Sequence, residues 1–259
     1  MTVHHGGYST FRVKIEDIQE TNLLIVAVDN APNDFVYPQN ADFTFYGGIY
    51  RDVKIVSVDK NHFIMDFWGA SGIKVTPRVD LEKKLADITI ESFVELEDKF
   101  FEADCEDFVK IKTMVLDADE NVLFEKGKIR NRQTSSKISY EGDKEQEKVR
   151  KTPVAKVEFV LENPHLWDGV KDPYLYIARA ELWINGELAD KAESRFGCRK
   201  CEFDAEKGFL LNGKSYPLRG VSRHQDRPEV GNALTKEMHE EDMELILEMG
   251  ANTIRLAQK

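Results

Sequence analysis

Gly208-Phe-Leu-Leu-Asn-Gly-Lys-Ser-Tyr216, then Leu218-Arg-Gly-Val-Ser222, then Arg223-His-Gln-Asp-Arg-Pro228, and after a helical stretch Asn252-Thr-Ile-Arg-Leu-Ala257 are the segments whose reading decides the fold. Asn212-Gly213 supplies two positive-φ positions and predicts a tight hairpin. Leu218 to Ser222 reads as a buried strand running into a polar loop. The pattern then predicts a helix: Thr235 is placed as its N-cap, Met243, Ile246 and Leu247 share a face with Leu245 and Met249 flanking it, and Gly250 ends it in the left-handed conformation. Asn252 to Ala257 is the next strand. Strand, crossover helix and parallel strand make a βαβ unit, so the residues just past each strand, His224 and Gln258, are expected on one rim.

Upstream, Phe11-Arg-Val-Lys-Ile15 alternates like a half-buried strand, while Leu23 to Asp29 and Ile49 to Val58 read as further β-runs. The Asn-, Asp- and Pro-rich stretch Asn30 to Phe45 reads as a loop long enough to carry function. From about Lys60 to Lys200 the chain is all strands: Phe63 to Trp68, Gly72 to Val79, Ala86 to Leu96, Val109 to Leu116, Ala155 to Leu161 and Tyr174 to Ile184, with Asn185-Gly186 closing a hairpin. That spacing predicts a two-sheet, immunoglobulin-like sandwich without a disulfide. Arg130 to Lys151 is nearly devoid of apolar residues and predicts a mobile or strand-poor insertion. Trp167 and Tyr174 are expected to fill the sandwich core or a junction rather than to stack on a sugar.

The chain of 259 residues has room for roughly two cores, and its net charge of -11 argues against nucleic acid or an anionic membrane as partner. The acidic run Glu95 to Asp107, interleaved with phenylalanines, reads as a solvated face. Cys105, Cys198 and Cys201 are too few for a disulfide framework; Cys198-Arg-Lys-Cys201 has no second pair to complete a zinc site, so both are expected as buried or half-buried free thiols. No apolar run reaches membrane-spanning length and no leader pattern stands at Met1, which gives a cytoplasmic expectation.

Gly208 to Lys214, Arg219-Gly-Val-Ser-Arg-His-Gln-Asp-Arg227 and Met249-Gly-Ala-Asn-Thr-Ile-Arg-Leu-Ala257 together resemble the start of the catalytic barrel of glycoside hydrolase family 2, most of all its β-galactosidases. Asp42-Phe-Thr-Phe-Tyr-Gly-Gly-Ile-Tyr-Arg-Asp-Val53 resembles the end of that family's sugar-binding jelly roll. Asn163-Pro-His-Leu-Trp167 and Asp172-Pro-Tyr-Leu-Tyr176 resemble its immunoglobulin-like domain. The resemblance implies a mainly β chain in three parts: residues 1–59 a partial jelly roll, 60–200 the immunoglobulin-like sandwich, and 201–259 the first βαβ of a TIM barrel.

It also implies chemistry. Retaining glycosidases use two carboxyl groups about 5 Å apart, and in the family these glutamates come from later barrel strands. Glu237, Glu240, Glu241, Glu244 and Glu248 fall on the exposed side of one helix and are not expected to be catalytic, so the chain alone is expected to be inactive. Asp42 would help hold the galactosyl group and a sodium ion, and His224 would hydrogen-bond substrate and steady the transition state. Gln258 falls where the family has a substrate-contacting histidine; glutamine donates and accepts hydrogen bonds but carries no positive charge. Ser222 stands at a usual asparagine. Mg2+ and Na+ in the intact family member, a β-galactoside substrate and a homo-oligomer are further implications. Relatives acting on β-glucuronides or β-mannosides share this architecture, and a free-standing β-sandwich module for carbohydrate binding or assembly is the alternative from another class. The βαβ tail discriminates, because such a module has no use for it.

Overall fold

The computed structural model describes residues 2–6, 10–15, 18–36, 44–65, 71–101, 108–129, 139–140, 149–150 and 155–256. The chain divides into two compact units, residues 56–217 and residues 1–55 with 218–259.

The unit of residues 56–217 is built from antiparallel strands: β1 (His62–Phe63), β2 (Ile73–Asp80), β3 (Leu85–Ser92), β4 (Val94–Glu95), β5 (Val109–Leu116), β6 (Val122–Ile129), β7 (Ser139–Tyr140), β8 (Val149–Arg150), β9 (Ala155–Glu162), β10 (Tyr176–Ile184), β11 (Glu187–Phe196), β12 (Cys201–Asp204), β13 (Gly208–Leu211) and β14 (Lys214–Ser215). Two sheets, ordered β2-β3-β9 and β11-β10-β5-β6, make the sandwich. The period of two along each strand puts alternate side chains on the inner face. Ala86, Ile88 and Ile90 of β3, Val109 and Ile111 of β5, and Ala178, Ala180 and Leu182 of β10 therefore meet in one buried cluster. Asn185 and Gly186, at φ 50° and 87°, turn β10 into β11 as the sequence predicts. β6 was not foreseen: Glu125, Lys126 and Lys128 interrupt its apolar pattern, yet it pairs with β5 along its length as the edge of its sheet, where charge blunts further pairing. Its Phe124 ring stacks on Phe159 of β9 at 4.1 Å. Within Arg130 to Lys151, β7 pairs with β8, and the rest of that expected insertion lies outside the described residues.

Among the described residues two buried hydroxyls, those of Ser92 and Thr113, lack a hydrogen-bond partner. Thr113 is 1% exposed. A buried hydroxyl without a partner carries its desolvation cost uncompensated, so Thr113→Val, which keeps the shape, should stabilise the sandwich by about 1–2 kcal/mol. A urea midpoint that rises with unchanged slope is the expected result; a fall would show that the hydroxyl is satisfied in solution.

The β12-β13-β14 sheet ends in the predicted hairpin, with Asn212 at φ 50° and Gly213 at φ 76°. The Asn212 side chain also ties the turn to its surroundings, donating to the Trp167 carbonyl at 3.0 Å and accepting from the Lys200 amide at 3.0 Å.

The second unit contains β15 (Gly220–Arg223), α1 (Lys236–Glu248) and β16 (Thr253–Leu256). β15 and β16 are parallel, with Gly220 opposite Thr253 and Arg223 opposite Leu256, so the βαβ reading holds. Thr235 caps α1, its hydroxyl accepting from the Met238 amide, and Gly250 follows at φ 81°. The helix face differs from expectation. Met238, His239, Asp242, Met243 and Ile246 are half-buried, while Leu245, Leu247 and Met249 are exposed. Each four-residue step advances the stripe by about 40°, and Leu247 falls beyond its edge.

Residues 11–15, 23–29 and 49–58 also depart from their reading as strands, for none joins a β-ladder. Leu23 is 86% exposed and Ile55 88%. β-branched composition marks a chain suited to a pleated, half-buried surface, and it forms a strand only where a neighbour supplies ladder partners.

Candidate functional site

β15 delivers Arg223 to the end of the parallel pair, where it is buried. Its guanidinium donates to Asp242 on α1, from Nε at 2.9 Å and again from Nη2, and Nη2 lies 2.9 Å from His239 Nδ1. A guanidinium only donates, so Nδ1 is the accepting nitrogen of His239. Arg227 approaches the same carboxylate from the loop: it donates to the other Asp242 oxygen, to the Met238 carbonyl at 2.9 Å and to Glu241 Oε2 at 2.6 Å. Hydrogen bonds from Arg227 and then Arg223 hold the Asp242 carboxyl below its usual range, against an opposing push from burial. Both arginines thus fasten the βα loop to the helix.

Between them the loop closes on itself. Arg227 and Gly231 exchange backbone hydrogen bonds of 3.1 and 2.9 Å, with Glu229 at φ 72° and Gly231 at φ 54°. Against it lies the segment of residues 44–51. A Cβ added to Gly231 would come within 2.7 Å of the Tyr46 ring, so this approach requires glycine. Arg51 donates to the Asn232 carbonyl and to Gln225 Oε1 at 3.0 Å. Tyr46, Asp226, Arg227, Pro228, Glu229 and Gly231 line an open cleft of about 500 Å³. Neither Tyr46 nor Arg51 was singled out from the sequence, since their partners lie far along the chain. The only signal was their inclusion in the Asp42 to Val53 stretch.

His224, the first residue past β15, is exposed between the fastened Arg223 and Gln225. Asp42 and Gln258 lie outside the described residues. Glu237, Glu240, Glu241, Glu244 and Glu248 are all exposed on α1, and the Glu237 carboxyl is held down by its own amide and the Thr235 hydroxyl, the opposite of what a general acid needs. Among the described residues no three His, Cys, Asp or Glu side chains cluster to hold a metal ion.

In the other unit Trp167 and Tyr174 are each engaged by neighbouring side chains. Trp167 is half-buried with the Arg199 guanidinium 4.9 Å from its ring centre, and Tyr174 stacks on His165 at 3.9 Å while its hydroxyl accepts from the Ala118 amide. Cys198 is buried and free, its thiol pushed up to about 11 by burial, whereas Cys201 is free but exposed rather than half-buried. The β12 edge leaves that side chain facing outward. Cys105 lies outside the described residues.

Comparison with known proteins agrees with this architecture. The sequence pattern of "Glycosyl hydrolases family 2" matches residues 71–199, and that of "Glycosyl hydrolases family 2, TIM barrel domain" matches residues 204–258. A β-glucuronidase of Bacteroides fragilis is 31% identical over 98% of the chain and 34% of its own length. A β-galactosidase of Thermoanaerobacterium thermosulfurigenes is 31% identical over 97% of the chain and 32% of its own length. The crystal structure of a Bacteroides uniformis β-glucuronidase superposes with a TM-score of 0.73 at 31% identity, covering 89% of this chain and 25% of that one. The chain thus spans about a third of the length of these curated relatives. With both patterns in family order and the sandwich and βαβ unit each in place, the chain belongs to glycosyl hydrolase family 2.

Proposed function

We propose that the chain is the non-catalytic N-terminal portion of a retaining β-glycosidase that hydrolyses terminal β-galactosides, and that it supplies scaffold and one edge of the sugar site. Residues 1–59 belong to the jelly roll, 60–200 to the immunoglobulin-like domain and 201–259 to the barrel. His224 hydrogen-bonds the sugar; Asp42, with its sodium ion, and Gln258 complete that edge. The observation that carries the reading is the βα loop after β15, which brings His224 to the end of a parallel strand pair while the segment following Asp42 is hydrogen-bonded to the same loop. A free-standing module has no need of that parallel pair.

Similarity to the B. fragilis enzyme supports a β-glucuronide equally well. The arginines flanking His224 favour the neutral sugar, because Arg223 and Arg227 are committed to Asp242 and Glu241 and not offered to a substrate carboxylate. Nuclear magnetic resonance of the His224 ring during titration with methyl β-D-galactoside and methyl β-D-glucuronide separates the two; a stronger response to the glucuronide would reverse the preference. The purified chain is expected to release no chromophore from a nitrophenyl β-galactoside above background. Turnover lost on changing Glu237, Glu240, Glu241, Glu244 or Glu248 to Gln would overturn the placement of the catalytic pair outside this chain.

A further inference from the structure

Arg51 stands 174 positions from Gln225 and 181 from Asn232 in the sequence, yet its guanidinium donates to both. Nη2 reaches Gln225 Oε1 at 3.0 Å, and Nη1 reaches the Asn232 carbonyl and, at 3.2 Å, the carbonyl of Tyr50. Gln225 directly follows His224, and Asn232 lies at the far end of the same loop. One planar fork thus holds both ends of the loop, a task for which a point charge on a flexible stem is unsuited. On the inner side Arg223 is fixed to Asp242. His224 therefore sits between two anchored neighbours, one fastened to α1 and the other to the segment that follows Asp42.

We propose that Arg51 is a positioning residue of the sugar site, setting where His224 stands relative to the segment of residues 44–51. This rests on the sugar-site reading above. The clamp is poorly explained as general stabilisation, because Arg51 is exposed and its partners Gln225 and Asn232 are only half-buried, and solvent-accessible polar contacts add little to global stability. Its consequence is local order in the loop.

The test uses the full 259-residue chain with Arg51→Ala and Arg51→Lys. In Arg51→Ala, amides of residues 225–232 should exchange about ten-fold faster, the loss expected when hydrogen bonds from a charged donor go, while exchange in β10 is unchanged. The methyl β-D-galactoside concentration needed to half-shift the His224 ring resonance should rise by about ten-fold as well. Arg51→Lys should fall between, since one ammonium cannot reproduce the two-ended fork. Unaltered loop exchange in Arg51→Ala would overturn the proposal, as would faster exchange with an unaltered sugar response. A lysine variant equal to the wild type would overturn the role of the fork. If the wild-type ring ignores both sugars while loop exchange still responds to Arg51→Ala, the sugar-site reading itself fails and the assignment to it goes too.

Discussion

Asp242→Ala should free α1 from β15 and the βα loop at a cost of about 1–3 kcal/mol, the size expected when a buried donor loses its partner in a partly buried pair. The Arg223 side chain is 8% exposed and the Asp242 side chain 23%. Without the carboxylate, the Arg223 guanidinium keeps its desolvation cost and loses its counter-charge. Amide exchange along residues 236–248 should accelerate strongly while exchange in β5 and β10 stays slow; unchanged protection in the helix would show that other contacts hold it. Acid should act through the same group. The carboxyl is held below its usual range in the folded chain, so its contribution is complete above the unfolded value of about 4 and is lost as pH falls through the lower folded value. Helix protection should therefore drop on acidification in the wild type and show no such step in Asp242→Ala.

Leu182→Ala should produce a loss of about 2–5 kcal/mol in the sandwich. Leu182 is 0% exposed on β10, within the cluster that joins Ile88 and Ile90 of one sheet to Ile111 of the other. Truncation removes the transfer energy of three carbons and leaves a void that close-packed neighbours fill only partly. Leu188 on β11, 49% exposed, is the matched control, and its change to Ala should stay within about 0.5 kcal/mol. Urea midpoints for the two variants decide the matter: similar shifts would contradict the burial that defines this core.

Reading ahead from the sequence worked best where one residue type fixes a local conformation. Asn185-Gly186 and Asn212-Gly213 both adopt positive φ, and Thr235 and Gly250 bound the helix as expected. It worked for strands buried on one face, such as β3, β5 and β10, because alternation is visible without knowing the neighbour. It failed where the neighbour decides. β6 is a strand because β5 offers it a ladder, despite three charged residues, and residues 23–29 form none despite a run of apolar ones. Leu247 shows the same limit on a smaller scale, since the width of the buried stripe depends on what packs against α1. At the candidate site the sequence pointed to the loop and to His224 as a candidate, but not to the Arg223–Asp242–Arg227 fastening or to Arg51. Those links join residues brought together only by the fold.

The contact between Tyr46 and Gly231 has a bearing on how this lineage can vary. Because the ring occupies the space a Cβ at residue 231 would need, the two positions are not free to drift separately. A side chain gained at 231 demands a smaller residue at 46, whereas shrinking residue 46 first removes the clash and leaves only the backbone strain that a side chain carries at φ 54°. The pair should therefore leave a covariation signature among descendants of this sequence, with the order of substitutions running from 46 to 231.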